Sequence, residues 1–131
     1  MAIDKSMNVL VIDDFSTMRR ITKSILKQLG FTNINEAEDG KSGLQILQTE
    51  TIGIIIADLD MPKMNGLELL KTIRTDDRLN DIAFLMVMTE AQQENISECG
   101  IENYIIKPFT AENLKQKIDK AFDGLNITQK P

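Results

Sequence analysis

The chain has 131 residues, 42% of them hydrophobic and 27% charged, with a net charge of −5 and no histidine. That length suits one domain with a core of its own, and the acidic balance argues against a nucleic-acid surface. The lack of histidine removes the commonest general base and the commonest zinc ligand together.

No apolar stretch approaches the roughly 20 residues needed to cross a bilayer. The amino terminus MAIDKSMN lacks the basic and apolar regions of a secretory signal. A lone cysteine, Cys99, permits no intramolecular disulfide and reads as a small packed hydrophobe. A cytoplasmic protein without membrane insertion is the expectation, with a core over about residues 7–124 and a short tail at 125–131.

NVLVID (8–13) reads as a buried strand, and residues 16–29 as a helix with Met18, Ile21, Ile25 and Leu29 on its apolar face. Arg19, Arg20, Lys23 and Lys27 share that helix at spacing that suits a solvated face. Gly30 stands where a helix stop belongs. NINEA (33–37) is a weaker strand, followed by a helix over roughly 40–49. GIIIAD (53–58) is the central strand, and Asn65-Gly66 marks a turn into a helix that ends near Arg74. AFLMVM (83–88) is a fourth strand, with a short helix from about Ala91. NYIIK (103–107) is the fifth, and Thr110 caps a final helix whose apolar face is Leu114, Ile118, Ala121 and Phe122.

Five strands alternating with five helices make an α/β protein with a doubly wound parallel sheet. Such sheets bind ligands beyond the carboxyl ends of their strands. Asp13 and Asp14 end the first strand, Asp58 the third, Met88 and Thr89 the fourth, and Lys107 the fifth. Three carboxylates should therefore converge on one rim. Singly, each aspartate is what any strand-to-turn junction favours. Jointly, with a lysine opposite, they suit a hard oxygen-bound cation such as Mg²⁺ and phosphoryl transfer to an aspartate nucleophile. Lys107 could neutralise the phosphoryl group as a compact point charge.

The segments VIDDFSTMRR (11–20), IADLDMPKMNGLELLKTIR (56–74) and NYIIKPFT (103–110) closely resemble bacterial two-component receiver domains. They look most like single-domain chemotaxis response regulators of the CheY type. The resemblance runs from about Met7 to Phe122. It implies a flavodoxin-like sheet in the order 2-1-3-4-5 and phosphorylation of Asp58 by a histidine kinase. It also implies Mg²⁺ held by Asp14, Asp58 and the backbone carbonyl of Asp60, with Asp13 acting through water. Lys107 would touch the phosphoryl group, and the Lys107-Pro108 peptide is expected to be cis. Tyr104 matches an aromatic whose rotamer reports activation. By the same resemblance Ala91, Gln93, Ile96, Tyr104, Ile106 and Lys117 form an output face. That face would meet a flagellar motor switch protein or the kinase, with a phosphatase as a further partner. A monomer that signals through protein contact is expected.

Two departures stand out. The family carries a hydroxyl at the end of its fourth strand, and direct alignment puts Met88 there, with Thr89 one place later. Strand side chains alternate faces, so the slip matters, and methionine cannot donate a hydrogen bond. A local bulge would bring Thr89 to the switch position instead. The stretch between Glu90 and Tyr104 is also shorter than the family pattern by roughly one helical turn, which predicts a stunted or rearranged fourth helix.

Three functions follow from these readings. One is a phosphorylation-controlled regulator of motility, not an enzyme beyond slow self-dephosphorylation. A second is a phosphate sink, or a receiver with another partner. The third is a small aspartate-nucleophile phosphatase, because DLD (58–60) has the D-x-D spacing of that class.

Overall fold

The computed structural model describes residues 3–95, 101 and 103–129. Five strands form one parallel sheet in the order β2-β1-β3-β4-β5, as the resemblance implies. They are β1 (Asn8–Ile12), β2 (Asn33–Ala37), β3 (Ile54–Asp58), β4 (Ala83–Met88) and β5 (Tyr104–Ile106). Four α-helices accompany them: α1 (Ser16–Gln28), α2 (Gly40–Thr49), α3 (Gly66–Arg74) and α4 (Ala111–Gln129). The backbone of α4 thus continues into the stretch expected as a tail.

The expected five helices become four α-helices and a 3₁₀ helix over Ala91–Asn95 among the described residues. Its tighter winding falls in the stretch between Glu90 and Tyr104, where a stunted or rearranged helix is expected. The rest of the expected fourth helix lies outside the described residues, as do Ile96 and Cys99.

β3 and β4 are buried at every position because helices cover both faces of the sheet. One face packs Leu10, Ile12, Ile55, Phe84, Met86 and Met88 against Leu47 of α2 and Leu69 and Ile73 of α3. The other packs Val9, Val11, Ile54, Ile56, Leu85 and Val87 against Leu26 of α1 and Leu114, Ile118 and Ala121 of α4. The α1 face needs one correction: Ile21 is 46% exposed, and Thr22 and Leu26 are buried instead. The inward stripe runs Met18, Thr22, Ile25, Leu26 and Leu29, which leaves Ile21 on its flank.

The caps are local and polar. Asp39 accepts from the Ser42 N–H at 2.7 Å, and Thr110 Oγ1 from the Asn113 N–H at 3.1 Å. Asn65 and Glu68 bond reciprocally to each other's backbone at the start of α3. Gly66 then lies against the end of β3, where its N–H bonds the Leu59 carbonyl at 2.8 Å. A Cβ on Gly66 would lie 2.5 Å from Met86 Sδ and 2.6 Å from the Asp58 carbonyl oxygen. The backbone oxygen cannot yield without moving the residue that ends β3. Gly66→Ala is therefore expected to destabilise the fold by about 2–3 kcal/mol, measured by urea unfolding; a loss below about 0.5 kcal/mol would contradict this packing.

Candidate functional site

Parallel strands that finish level deliver their last side chains to one edge. Ile12 pairs with Ala37 and Ala57, Asp58 with Val87, and Met88 with Ile106. Just past β1, Asp13 is held by its own N–H on the Ala37 carbonyl at 3.1 Å and accepts the Phe15 N–H on Oδ1 at 2.9 Å. That side-chain bond leads the backbone into α1, whose N-cap, Phe15, makes no side-chain cap of its own.

Asp13, Asp14 and Asp58 each offer a carboxylate oxygen, all within 4.8 Å of one another. Asp13 and Asp58 are only 4% and 3% exposed, whereas Asp14 faces solvent. Lys107 follows β5 and brings Nζ to 3.3 Å from Asp58 Oδ1, its own N–H bonded to the Met88 carbonyl. The Lys107-Pro108 peptide is cis, as expected. Asp60 is exposed two residues beyond Asp58 and its side chain is not part of the acidic group.

Desolvation dominates the electrostatics. Burial raises the Asp58 pKa from 3.8 to about 6, against the opposing pull of Lys107 and with a further push from Asp13. Burial also raises Asp13, opposed first by the Phe15 N–H bond and then by Lys107. One lysine does not offset two buried carboxylates and a third beside them. The donor set is all carboxylate, with no nitrogen or sulfur in the group, and it fits a hard divalent cation such as Mg²⁺ held by Asp13, Asp14 and Asp58.

The end of β4 is regular, and no bulge moves Thr89 toward the rim. Val87 lies opposite Asp58 and Ile105, and Met88 is fully buried on the face that packs Tyr104 and Ile106. The Thr89 hydroxyl caps the 3₁₀ helix: Oγ1 accepts the Gln92 N–H at 3.3 Å, while Gln92 Oε1 accepts the Thr89 N–H at 2.8 Å. Of the expected output face, Gln93 Nε2 donates to the Tyr104 hydroxyl at 3.0 Å, and Lys117 Nζ stands 5.2 Å over the Tyr104 ring. Ala91 is exposed and Ile106 half-buried.

Sequence reasoning missed Arg19 and Glu36. The spacing of Arg19 suits a solvated face, yet its Nη1 donates to the Asp13 carbonyl at 2.7 Å and its side chain is 18% exposed. Its partner Glu36 lies on β2, on the sheet face that α1 covers, so helical periodicity carries no sign of the pair. The signal available was a charged residue in a strand beside the acidic turn.

The fold and rim define a receiver-type domain, and comparison with known proteins agrees. The model of the response regulator receiver domain family matches residues 9–119, and the chain belongs to that family. It is similar to chemotaxis protein CheY-3 of Vibrio cholerae serotype O1, 46% identical over 126 residues that cover 94% of this chain and 97% of the relative. It is equally similar to chemotaxis protein CheY of Pseudomonas aeruginosa, 46% identical over 92% of this chain and 99% of that one. Among solved structures, the chemotaxis response regulator CheY4 of Vibrio cholerae superposes with a TM-score of 0.77 at 27% identity, over 88% of this chain and 98% of its own.

The raised Asp58 pKa has a stability consequence with a definite sign. A carboxylate that titrates higher in the folded state binds a proton the unfolded chain has already released, so folding loses stability as pH rises from about 4 to about 6. Asp58→Asn removes that ionisation. Without divalent metal it should gain on the order of 2–3 kcal/mol at about pH 7 and almost nothing near pH 4. Urea unfolding in a chelator at both pH values checks this; an equal effect at both would mean Asp58 is not desolvated.

Proposed function

We propose that the protein is a phospho-accepting response regulator of the CheY type. In this reading a histidine kinase phosphorylates Asp58 with Mg²⁺, and the protein signals through contacts with other proteins in chemotaxis, at the flagellar motor switch. The observation that carries it is the convergence of Asp13, Asp14 and Asp58 within 4.8 Å, with Lys107 3.3 Å from Asp58. Asp60 stands outside that group, which favours a receiver over a two-carboxylate phosphatase. The protein is then not an enzyme in its own right, and a separate phosphatase resets it. It acts as a monomer in the cytoplasm; among the described residues no helix is long and apolar enough to cross a membrane.

Asp58 supplies the nucleophile. One of its carboxylate oxygens attacks phosphorus of the donor phosphohistidine; the P–O bond forms as the P–N bond breaks, and the imidazole leaves with the electron pair and takes up a proton. Mg²⁺ bound to the acidic group would neutralise the carboxylates and the phosphoryl oxygens. Lys107 turns from Asp58 to the transferred group, whose charge then replaces that of the carboxylate. Burial at the end of β3 limits access of bulk water to the acyl phosphate.

A second reading draws on the end of β4. Met88 offers no donor to a phosphoryl oxygen, and Thr89, one place later, is turned to the 3₁₀ helix, where its Oγ1 accepts the Gln92 N–H. The link from Asp58 to Tyr104 is therefore weakened, which suits a phosphate sink or a regulator with a partner other than the motor.

Incubation with a small acyl-phosphate donor and Mg²⁺, followed by intact-mass analysis, should give one phosphoryl adduct in the unmodified protein and none in Asp58→Asn. A stable adduct on the variant would refute the acceptor assignment. Met88→Thr should restore a donor near the phosphoryl group. It should widen the ratio of motor-switch peptide affinities with and without beryllofluoride by at least about fivefold. An unchanged ratio would show that Met88 is not the weak link.

A further inference from the structure

We infer that Arg19 is a positioning residue for the acidic rim, holding the Asp13-Asp14 turn in the geometry that lets it receive a divalent cation. The inference rests on the metal-binding reading above and adds to it a residue on the opposite side of the turn. Arg19 lies in the first turn of α1, where its N–H bonds the Phe15 carbonyl at 3.0 Å. From there the guanidinium reaches back, and Nη1 donates to the main-chain carbonyl of Asp13 at 2.7 Å.

The Asp13 backbone is consequently gripped twice. Its N–H is taken by Ala37 on β2, and its carbonyl by Arg19. That carbonyl belongs to the peptide joining Asp13 to Asp14, so the guanidinium sets the plane from which Asp14 projects. Among the described residues, no hydrogen bond or ion pair fixes the exposed Asp14 carboxylate itself. Its contribution to a shared cation site therefore depends on the backbone that carries it.

Arg19 is in turn held from behind. Its Nε is buried 3.4 Å from Glu36 Oε1, too poorly aimed for a hydrogen bond but close enough for an ion pair. The other oxygen of Glu36 accepts from Lys23 Nζ at 3.2 Å. Glu36 sits on β2 directly opposite Val11, so the chain Lys23–Glu36–Arg19 ties α1 and β2 to the loop they flank. A planar fork can serve the Asp13 carbonyl and Glu36 together, whereas an ammonium at the same position can reach only one of them.

The test is a calorimetric Mg²⁺ titration of the full chain, unmodified and as Arg19→Met, Arg19→Lys and Glu36→Gln, with urea unfolding of each. Outer partners of metal ligands are typically worth 10–100-fold in metal affinity, so Arg19→Met should weaken Mg²⁺ binding by roughly tenfold or more. Arg19→Lys should recover part of that loss, and Glu36→Gln should show a smaller shift in the same direction. If Arg19→Met does not fold, the other two variants carry the test. A lower urea midpoint with unchanged Mg²⁺ affinity in the folded variants would make Arg19 a structural tie and overturn the inference. Failure of the unmodified protein to bind Mg²⁺ would overturn the metal-binding reading, and this inference with it.

Discussion

Two carboxylates, Asp13 and Asp58, are almost wholly removed from water at the end of a hydrophobic sheet, with one lysine to answer them. Charge in that position is unfavourable, and the raised Asp58 pKa records how far the balance has moved. The rest of the structure either creates that condition or relieves it. β3 and β4 supply the burial. Gly66 permits α3 to start against the Asp58 carbonyl, and the Ala37 carbonyl and Arg19 guanidinium hold the Asp13 peptide in place. A bound hard cation would offset that negative charge.

The two sides of the rim are built differently. On the acidic side Asp13, Asp58, Lys107 and Arg19 are each held by a hydrogen bond or ion pair, while the Asp14 carboxylate faces solvent. On the other side, the end of β4 buries the Met88 thioether, and the Thr89 hydroxyl beside it accepts the Gln92 N–H as a cap. Tyr104 is meanwhile engaged from both directions, by the Gln93 amide on its hydroxyl and the Lys117 ammonium over its ring. Those contacts give the tyrosine a preferred place that does not depend on the rim. Any signal carried from Asp58 to this surface must overcome them.

The parts legible in sequence were those set by local pattern. Alternating apolar runs located the strands, and strand ends located Asp13, Asp14, Asp58 and Lys107, because a parallel sheet brings its carboxyl ends together. β2 was readable as NINEA despite three polar residues of five, since it forms the outer strand beside β1. What escaped depends on contacts between elements distant in sequence. Ile21 sits at the right helical interval, but the stripe that packs on the sheet is centred on Thr22 and Leu26, which leaves it exposed. Arg19 looked like one cation among four, and only the closeness of β2 to the first turn of α1 pairs it with Glu36. The Thr89–Gln92 cap depends on the 3₁₀ winding of a segment whose helical pattern suggested an α-helix.

The measurement closest to the central claim is fluorine NMR of beryllofluoride with the unmodified protein and with Asp58→Asn, each with and without Mg²⁺. The account predicts a bound signal only when Asp58 and Mg²⁺ are both present. A bound signal that persists in the variant, or that is indifferent to Mg²⁺, would contradict the assignment of this acidic rim as a metal-assisted phosphoryl acceptor.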